Sequence, residues 1–251
     1  MLSEEEVERF VADGFVWVRG AFDADVAAAC REELWARLPV DRHDPSTWAQ
    51  PVIRVPNAWS PPFVTAATAP RLHEAFDQLV GEGRWEPLRG LGTFPIRFPS
   101  EADPGDAGWH CDAGIDVDGV PGLDVTSTGR ALLLLFLLSD VGPDDAPTRL
   151  KVGSHLDVPP VLAPAGSRGM NFLDLAAAVG ERDHPVVFAT GRAGDVVVCH
   201  PFLVHAASFP HRGSAPRFIA QPPLLPTVPF DVHGDGPCPP VVAAIREALG
   251  R

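Results

Sequence analysis

Basic residues are scarce in this 251-residue chain: 20 Lys and Arg stand against 33 Asp and Glu, a formal net charge of −13. That balance disfavours nucleic acid and anionic membrane as partners, because both recruit basic surfaces. Cysteine is also sparse. The four cysteines, Cys30, Cys111, Cys199 and Cys238, show no C-x-x-C spacing, so free thiols in a reducing compartment are expected rather than disulfides. The first residues, Met-Leu-Ser-Glu-Glu-Glu, carry no basic and apolar export signal. The apolar run Leu132–Leu138 is far shorter than the roughly 20 residues a membrane helix requires. Together these absences lead to the expectation of a cytoplasmic protein acting on a small molecule, with its oligomeric state open. No repeat, linker or low-complexity segment divides the chain, so one domain over 1–251 is expected.

What is present is a globular composition, 45% hydrophobic and 21% charged, with 28 Pro and 23 Gly marking many fixed turns. Ser3 and Glu6 form a capping box that opens a helix through Phe10, and Phe15–Val18 reads as a strand. Asp23 can cap a second helix over Ala24–Leu38, and Arg71–Val80 reads as a third, stopped by Gly81. Residues 39–62 are Pro-rich and aperiodic, with Trp48 and Trp59 packing a loop or forming a lid. Strand patterns then follow at Leu91–Phe98, Arg130–Leu138, Thr148–Val152, Pro185–Phe188, Asp195–Cys199 and Arg217–Leu224. Within this stretch only Met170–Val179 reads as helix, and Val241–Leu249 closes the chain with another. Helices first and strands later predict an α+β, mainly β chain. Its core would be a double-stranded β-helix, a cupin-like jelly roll, over 86–225, with helical and loop support over 1–85 and a tail over 226–251.

The chemistry concentrates in Gly-Trp-His110-Cys-Asp112-Ala-Gly. Side chains two apart on an extended segment point the same way, so His110 and Asp112 can converge on one metal ion. A second His would complete the two-His, one-carboxylate set of non-haem Fe(II) oxygenases. The apolar strand after Gly194-Asp195 delivers two candidates. His200 continues the strand's alternation but precedes Pro201, and His205 sits among the small residues Ala206, Ala207 and Ser208, which would let a cosubstrate approach; His205 is favoured. A basic residue, Arg217, opens the next apolar run twelve residues on.

In this order, Gly-Trp-His110-Cys-Asp112, then Asp145 to Gly153-Ser-His155, then Gly194 to His205 and Arg217, the motifs resemble the phytanoyl-CoA dioxygenase-like enzymes. The resemblance implies an Fe(II)- and 2-oxoglutarate-dependent dioxygenase that consumes O2 and releases succinate and CO2. It assigns His110, Asp112 and His205 to the metal, and Arg217, rather than the turn residue Arg212, to the distal carboxylate of 2-oxoglutarate. A guanidinium fork suits that task and Lys does not. Arg97 matches a basic position at which the family touches cosubstrate or substrate, though an arginine facing solvent fits the residues equally well.

The chain also departs from the family pattern. Val152 stands for the usual Pro, Asp145-Ala146 for Asn-Gly, and Ala207 for a cosubstrate-binding Ser, while His155 is read as a scaffold residue. Because Asp112 is retained, hydroxylation or a related C–H oxidation is implied rather than halogenation. Trp109, Arg54 and Asn57 are candidate substrate contacts, and the acidic loop with Asp116, Asp118 and Asp124 either attracts a cation or is simply solvated. A small metabolite or natural-product intermediate is the expected substrate, since no basic cluster is present for CoA phosphates. The competing readings are a non-catalytic jelly-roll binding protein and a cupin-type metalloenzyme that does not use 2-oxoglutarate.

Overall fold

The computed structural model describes residues 1–251. Helix α1 (Glu4–Asp13) begins at the capping box, with Ser3 Oγ accepting from Glu6 N and Glu6 Oε2 accepting from Ser3 N. Gly14 ends it in the left-handed region, φ 87°, and the chain turns into β1 (Phe15–Val18). Helix α2 (Ala24–Trp35) stops short of the expected Leu38, and Asp23 occupies its N-cap position without a side-chain hydrogen bond.

The Pro-rich stretch expected to be loop contains β2 (Val52–Val55), and α3 (Pro61–Ala67) begins inside its far end. Pro61 lies at the start of α3, where the missing N–H has no intrahelical partner to lose. Next come α4 (Pro70–Val80), β3 (Phe94–Arg97), and a hairpin of β4 (Ile115–Val117) and β5 (Val120–Leu123). Both hairpin turn residues, Asp118 and Gly119, have positive φ, as the tight two-residue turn demands.

The remainder runs β6 (Leu132–Leu137), β7 (Arg149–Lys151), α5 (Val158–Leu162), β8 (Met170–Asn171), α6 (Phe172–Val179), β9 (Val186–Phe188) and β10 (Val196–Cys199). It closes with β11 (His205–Ala206), β12 (Ile219–Ala220), β13 (Pro223–Leu224) and α7 (Pro240–Ala248).

All strand pairs are antiparallel, so the chain is a mixture of helices and antiparallel sheets. The main sheet has the order β1-β10-β6-β12, with β13 also pairing β6. β6 is buried along its whole length, as an apolar run without alternation requires. The main sheet takes in β1, so it is not confined to 86–225, and the first 85 residues contribute strands as well as support. A second sheet, β11-β7-β9, brings His205 opposite Leu150. One apolar cluster runs from Phe10 through Phe136 to Ile245, fastening the helices to the main sheet. No helix is long and apolar enough to cross a membrane.

Between the sheets, single backbone bridges do the positioning. His110 pairs with His205 through reciprocal hydrogen bonds of 2.9 Å. Arg97 pairs with Arg217 at 3.1 and 2.8 Å.

Candidate metal centre

The bridge between His110 and His205 sets two imidazoles side by side, their ring centroids 4.5 Å apart. Each ring is oriented by its own backbone: His110 Nδ1 lies 2.8 Å from Gly108 O, and His205 Nδ1 lies 3.0 Å from Leu203 O. A neutral imidazole donating from Nδ1 keeps Nε2 as a free lone pair, the form a metal takes. Both Nε2 atoms face Asp112 Oδ1, at 3.7 Å from His110 and 3.6 Å from His205. These separations exceed hydrogen-bond length. The three donors therefore address a common point instead of satisfying one another.

One donor atom from each of the three residues lies within 4.8 Å of the others, and two nitrogens with one carboxylate oxygen is the donor chemistry of a non-haem Fe(II) site. The residues present fit the ion. Cys111, between His110 and Asp112, points the opposite way: it is buried, and its Sγ donates to Phe202 O at 3.2 Å.

Electrostatics agree with this placement. Burial would push the Asp112 carboxyl up, but the imidazoles of His110 and His205 and the charge of Arg130 outweigh it and hold the group well below the usual carboxylate range. At His110 burial pulls the other way, and the neighbouring Asp112 carboxylate and Gly108 carbonyl lift it above its ordinary value.

The donors open on a cavity of about 160 Å³ whose wall includes Thr93, Arg97, Asp106, Thr148, Arg217 and Gln221. Its apolar wall is limited to Pro95, Ala207 and Ile219. Arg217 is 2% exposed, donates from Nη1 to Ala146 O, and has no partner for Nε. Burial, reinforced by the adjacent charge of Arg97, pushes its pKa down to about 9 against the opposing pull of Asp106 and Asp145. A buried cation with no carboxylate in contact is a receptor for an anion.

Arg97, also buried, is paired instead: its Nη2 lies 2.6 Å from Asp106 Oδ1, while Arg54 Nη2 reaches Asp106 Oδ2 at 2.5 Å from the mouth of the cavity. The two guanidiniums outweigh burial and keep the Asp106 carboxyl below its ordinary value.

Several expectations change here. Arg97 does not face solvent; it lines the cavity beside Arg217. Arg54 also lines the cavity, but Trp109 and Asn57 do not. Trp109 is one residue out of phase with His110, so its ring turns away and is covered by Arg149 Cζ at 4.4 Å and Lys151 Nζ at 4.7 Å. Asn57 lies beyond the end of β2, its amide pressed against Gly92.

His200 is built into the core, Nε2 against Val241 O at 3.0 Å and Nδ1 accepting from Phe202 N at 3.1 Å. His155 contacts Val11 O through Nε2 and stays out of the site, and Arg212 is largely exposed beside Glu101. Of the tryptophans in the Pro-rich stretch, Trp48 packs on Phe98 and Trp59 is exposed. The acidic loop is occupied with its own structure. Asp116 accepts from Gly119 N, Asp118 pairs with Arg168, and buried Asp124 caps Thr126 and Thr128.

Sequence reading missed Asp106 and Arg130. Asp106 lies in an aperiodic Asp-Pro-Gly segment with no signal of its own, whereas Arg130 opens the apolar run of β6, where a lone cation was readable.

A family model described as phytanoyl-CoA dioxygenase (PhyH) matches residues 10–219. No protein of curated function matches by sequence. Among solved structures, HygX from Streptomyces hygroscopicus, with nickel, 2-oxoglutarate and hygromycin B bound, superposes with a TM-score of 0.60 at 20% identity, covering 90% of this chain and 88% of that one. The non-haem α-ketoglutarate-dependent carbocyclase SnoK from nogalamycin biosynthesis gives 0.64 at 21% identity, covering 92% and 88%. The epimerase SnoN from the same biosynthesis gives 0.55 at 23%, covering 87% and 80%. At these identities the likeness is one of fold.

Proposed function

The chain belongs to the phytanoyl-CoA dioxygenase family and is an Fe(II)- and 2-oxoglutarate-dependent dioxygenase, and from that premise we propose that His110, Asp112 and His205 hold its iron. The observation that carries this reading is the convergence of three donors from two remote segments within 4.8 Å, next to the unpaired buried guanidinium of Arg217. Iron bound there supplies O2 activation coupled to decarboxylation of 2-oxoglutarate to succinate and CO2.

The chain's own residues do the rest. Gly108 and Leu203 carbonyls fix the imidazole tautomers, and Arg217 receives the distal carboxylate of the cosubstrate. Asp106 holds Arg97 rigid behind Arg217, so the pair of guanidiniums keeps its place without a ligand. Burial of both arginines keeps water from competing for the carboxylate, which strengthens each charge-assisted hydrogen bond.

The reaction proposed is oxidation of an unactivated C–H bond, by hydroxylation in the first instance, because a carboxylate occupies the third ligand position. The substrate proposed is a small polar metabolite or natural-product intermediate; the dominance of polar and charged groups on the wall supports it over an acyl chain. HygX, holding hygromycin B, is a relative in fold with such a ligand. Arg54, at the cavity mouth, is the residue placed to meet the substrate. We read the two sheets as the faces of a double-stranded β-helix in one domain over 1–251, and the four unpaired cysteines favour a cytoplasmic setting.

The test is anaerobic addition of Fe(II) and 2-oxoglutarate. A visible charge-transfer band and slow succinate release without substrate are expected, both lost in Asp112→Ala. Wild-type protein that gives neither signal, or Asp112→Ala with full turnover, overturns the assignment.

A further inference from the structure

We propose that Arg130 is a positioning residue for Asp112: it engages the outer carboxylate oxygen and leaves only the inner one between the two imidazoles. The inference rests on the metal-site reading above. The two oxygens of Asp112 have different surroundings. Oδ1 faces His110 Nε2 and His205 Nε2, whereas Oδ2 faces Arg130 Nη2 at 3.5 Å. The charge of Arg130 beside Oδ2 favours the orientation that leaves Oδ1 between the imidazoles over one that turns both oxygens to a metal.

Arg130 is fixed by a purpose-built turn. Asp124 caps the backbone N–H groups of Thr126 and Thr128, at 2.8 and 3.1 Å, and Ser127, at φ 48°, accepts the left-handed conformation the turn needs. Ser127 Oγ then donates to Arg130 O at 2.6 Å. The turn is pressed backbone to backbone against the residues after Asp112, for a Cβ on Gly129 would stand 1.9 Å from Gly114 O. The same guanidinium donates from Nη2 to Ala113 O at 3.3 Å, so one side chain holds both the ligand's carboxylate and the peptide that follows it. Its side chain is only 11% exposed, and its Nε and Nη1 find no other partner. No competing acid draws it away.

A buried arginine with two unsatisfied nitrogens is expensive to keep for loop packing alone. A partner that orients a metal ligand is a sufficient reason, since removing such outer partners typically weakens metal binding about 10- to 100-fold.

The experiment uses Co(II) as the probe, with full-length wild type, Arg130→Met, Arg130→Gln and Arg130→Lys. Calorimetry gives the Co(II) dissociation constant, the visible ligand-field spectrum reports coordination, and the melting temperature of metal-free protein reports folding. Arg130→Met and Arg130→Gln are expected to bind Co(II) about 10- to 100-fold more weakly with an altered spectrum. Arg130→Lys, which keeps the charge but not the fork, should recover part of the affinity. A role confined to pinning the loop predicts wild-type Co(II) affinity and spectrum in Arg130→Met and Arg130→Gln, with only the metal-free melting temperature lowered; this result overturns the proposal and leaves the metal site standing. Wild type that fails to bind Co(II) overturns the metal site and this inference together.

Discussion

Replacing Arg217 by Met should make the ligand-free protein more stable and the cosubstrate-bound protein weaker. The guanidinium is buried with its Nε unpaired, and its pKa is pushed down to about 9, first by burial and then by Arg97. Holding an arginine about three pH units below its ordinary value costs on the order of 4 kcal/mol at neutral pH. Its one hydrogen bond, to Ala146 O, returns about 1 to 2 kcal/mol. The net penalty relieved by an apolar side chain of similar length is therefore roughly 2 to 3 kcal/mol, a rise of about 5 to 10 °C in the melting temperature of a chain this size.

Cosubstrate binding should move the opposite way. Losing a buried, charge-assisted contact to a carboxylate costs about 2 to 4 kcal/mol, or roughly 30- to 1,000-fold in the dissociation constant of 2-oxoglutarate. Scanning calorimetry of metal-free protein and titration of 2-oxoglutarate into the Co(II)-loaded form measure the two halves. The sign of the pH dependence follows. Below pH 9 the charge is present in both folded and unfolded chains and the full penalty applies. Above it the folded form sheds its proton first, so the penalty shrinks while wild-type affinity for 2-oxoglutarate declines. An Arg217→Met protein that melts lower than wild type, or binds the cosubstrate unchanged, refutes the reasoning.

The remaining predictions concern neighbouring groups. Burial pushes His155 down to about 4, so it stays neutral in the fold while the unfolded chain protonates near pH 6.5; as pH is lowered from 6.5 to 4 stability should fall by up to about 1.4 kcal/mol per pH unit, and His155→Phe should reduce that slope in urea titrations. Asp106→Asn leaves buried Arg97 without its counter-charge and should cost about 3 to 5 kcal/mol in urea unfolding. The wild-type pairing, present above the ordinary carboxylate pKa, should be lost only as pH falls through the lowered Asp106 value. His205→Ala should abolish Co(II) binding measured by calorimetry, while His200→Ala should bind Co(II) as wild type does and melt lower, because its two ring nitrogens serve the core.

The parts of this molecule governed by local rules were legible. The Ser3 and Glu6 box, the helix stop at Gly81 and the doubly buried β6 follow from neighbours a few residues apart, and the structure has all three. The pairing of His110 with Asp112 was readable because strand alternation is itself local, whereas His205 was preferred against that alternation, on its small neighbours, and Arg217 on its place at the start of an apolar run together with the family resemblance. Asp118-Gly119 was an available hairpin signal, and the helix behind Pro61-Pro62 had its proline in a permitted place, yet both lay in stretches read as loop. Asp106 was beyond reach for a different reason: nothing near it in sequence says that two arginines, on β2 and β3, will close on it. Trp109 misled because adjacency to a ligand in sequence means the opposite face on an extended chain.

The two main-chain bridges, His110 with His205 and Arg97 with Arg217, join segments 95 and 120 positions apart in the sequence. A fragment that ends between the two halves of either bridge cannot bring the donors together, and loop-closure entropy must be met before either pair gains anything. On the proposed assignment, metal affinity becomes a report on the closing of the His110–His205 bridge: a partly folded chain with its helices intact but this bridge open would not bind Co(II). The same arrangement frees the side chains from the task of assembly. Because peptide groups hold the register, donors and cations can be exchanged one at a time on a frame that stays where it is.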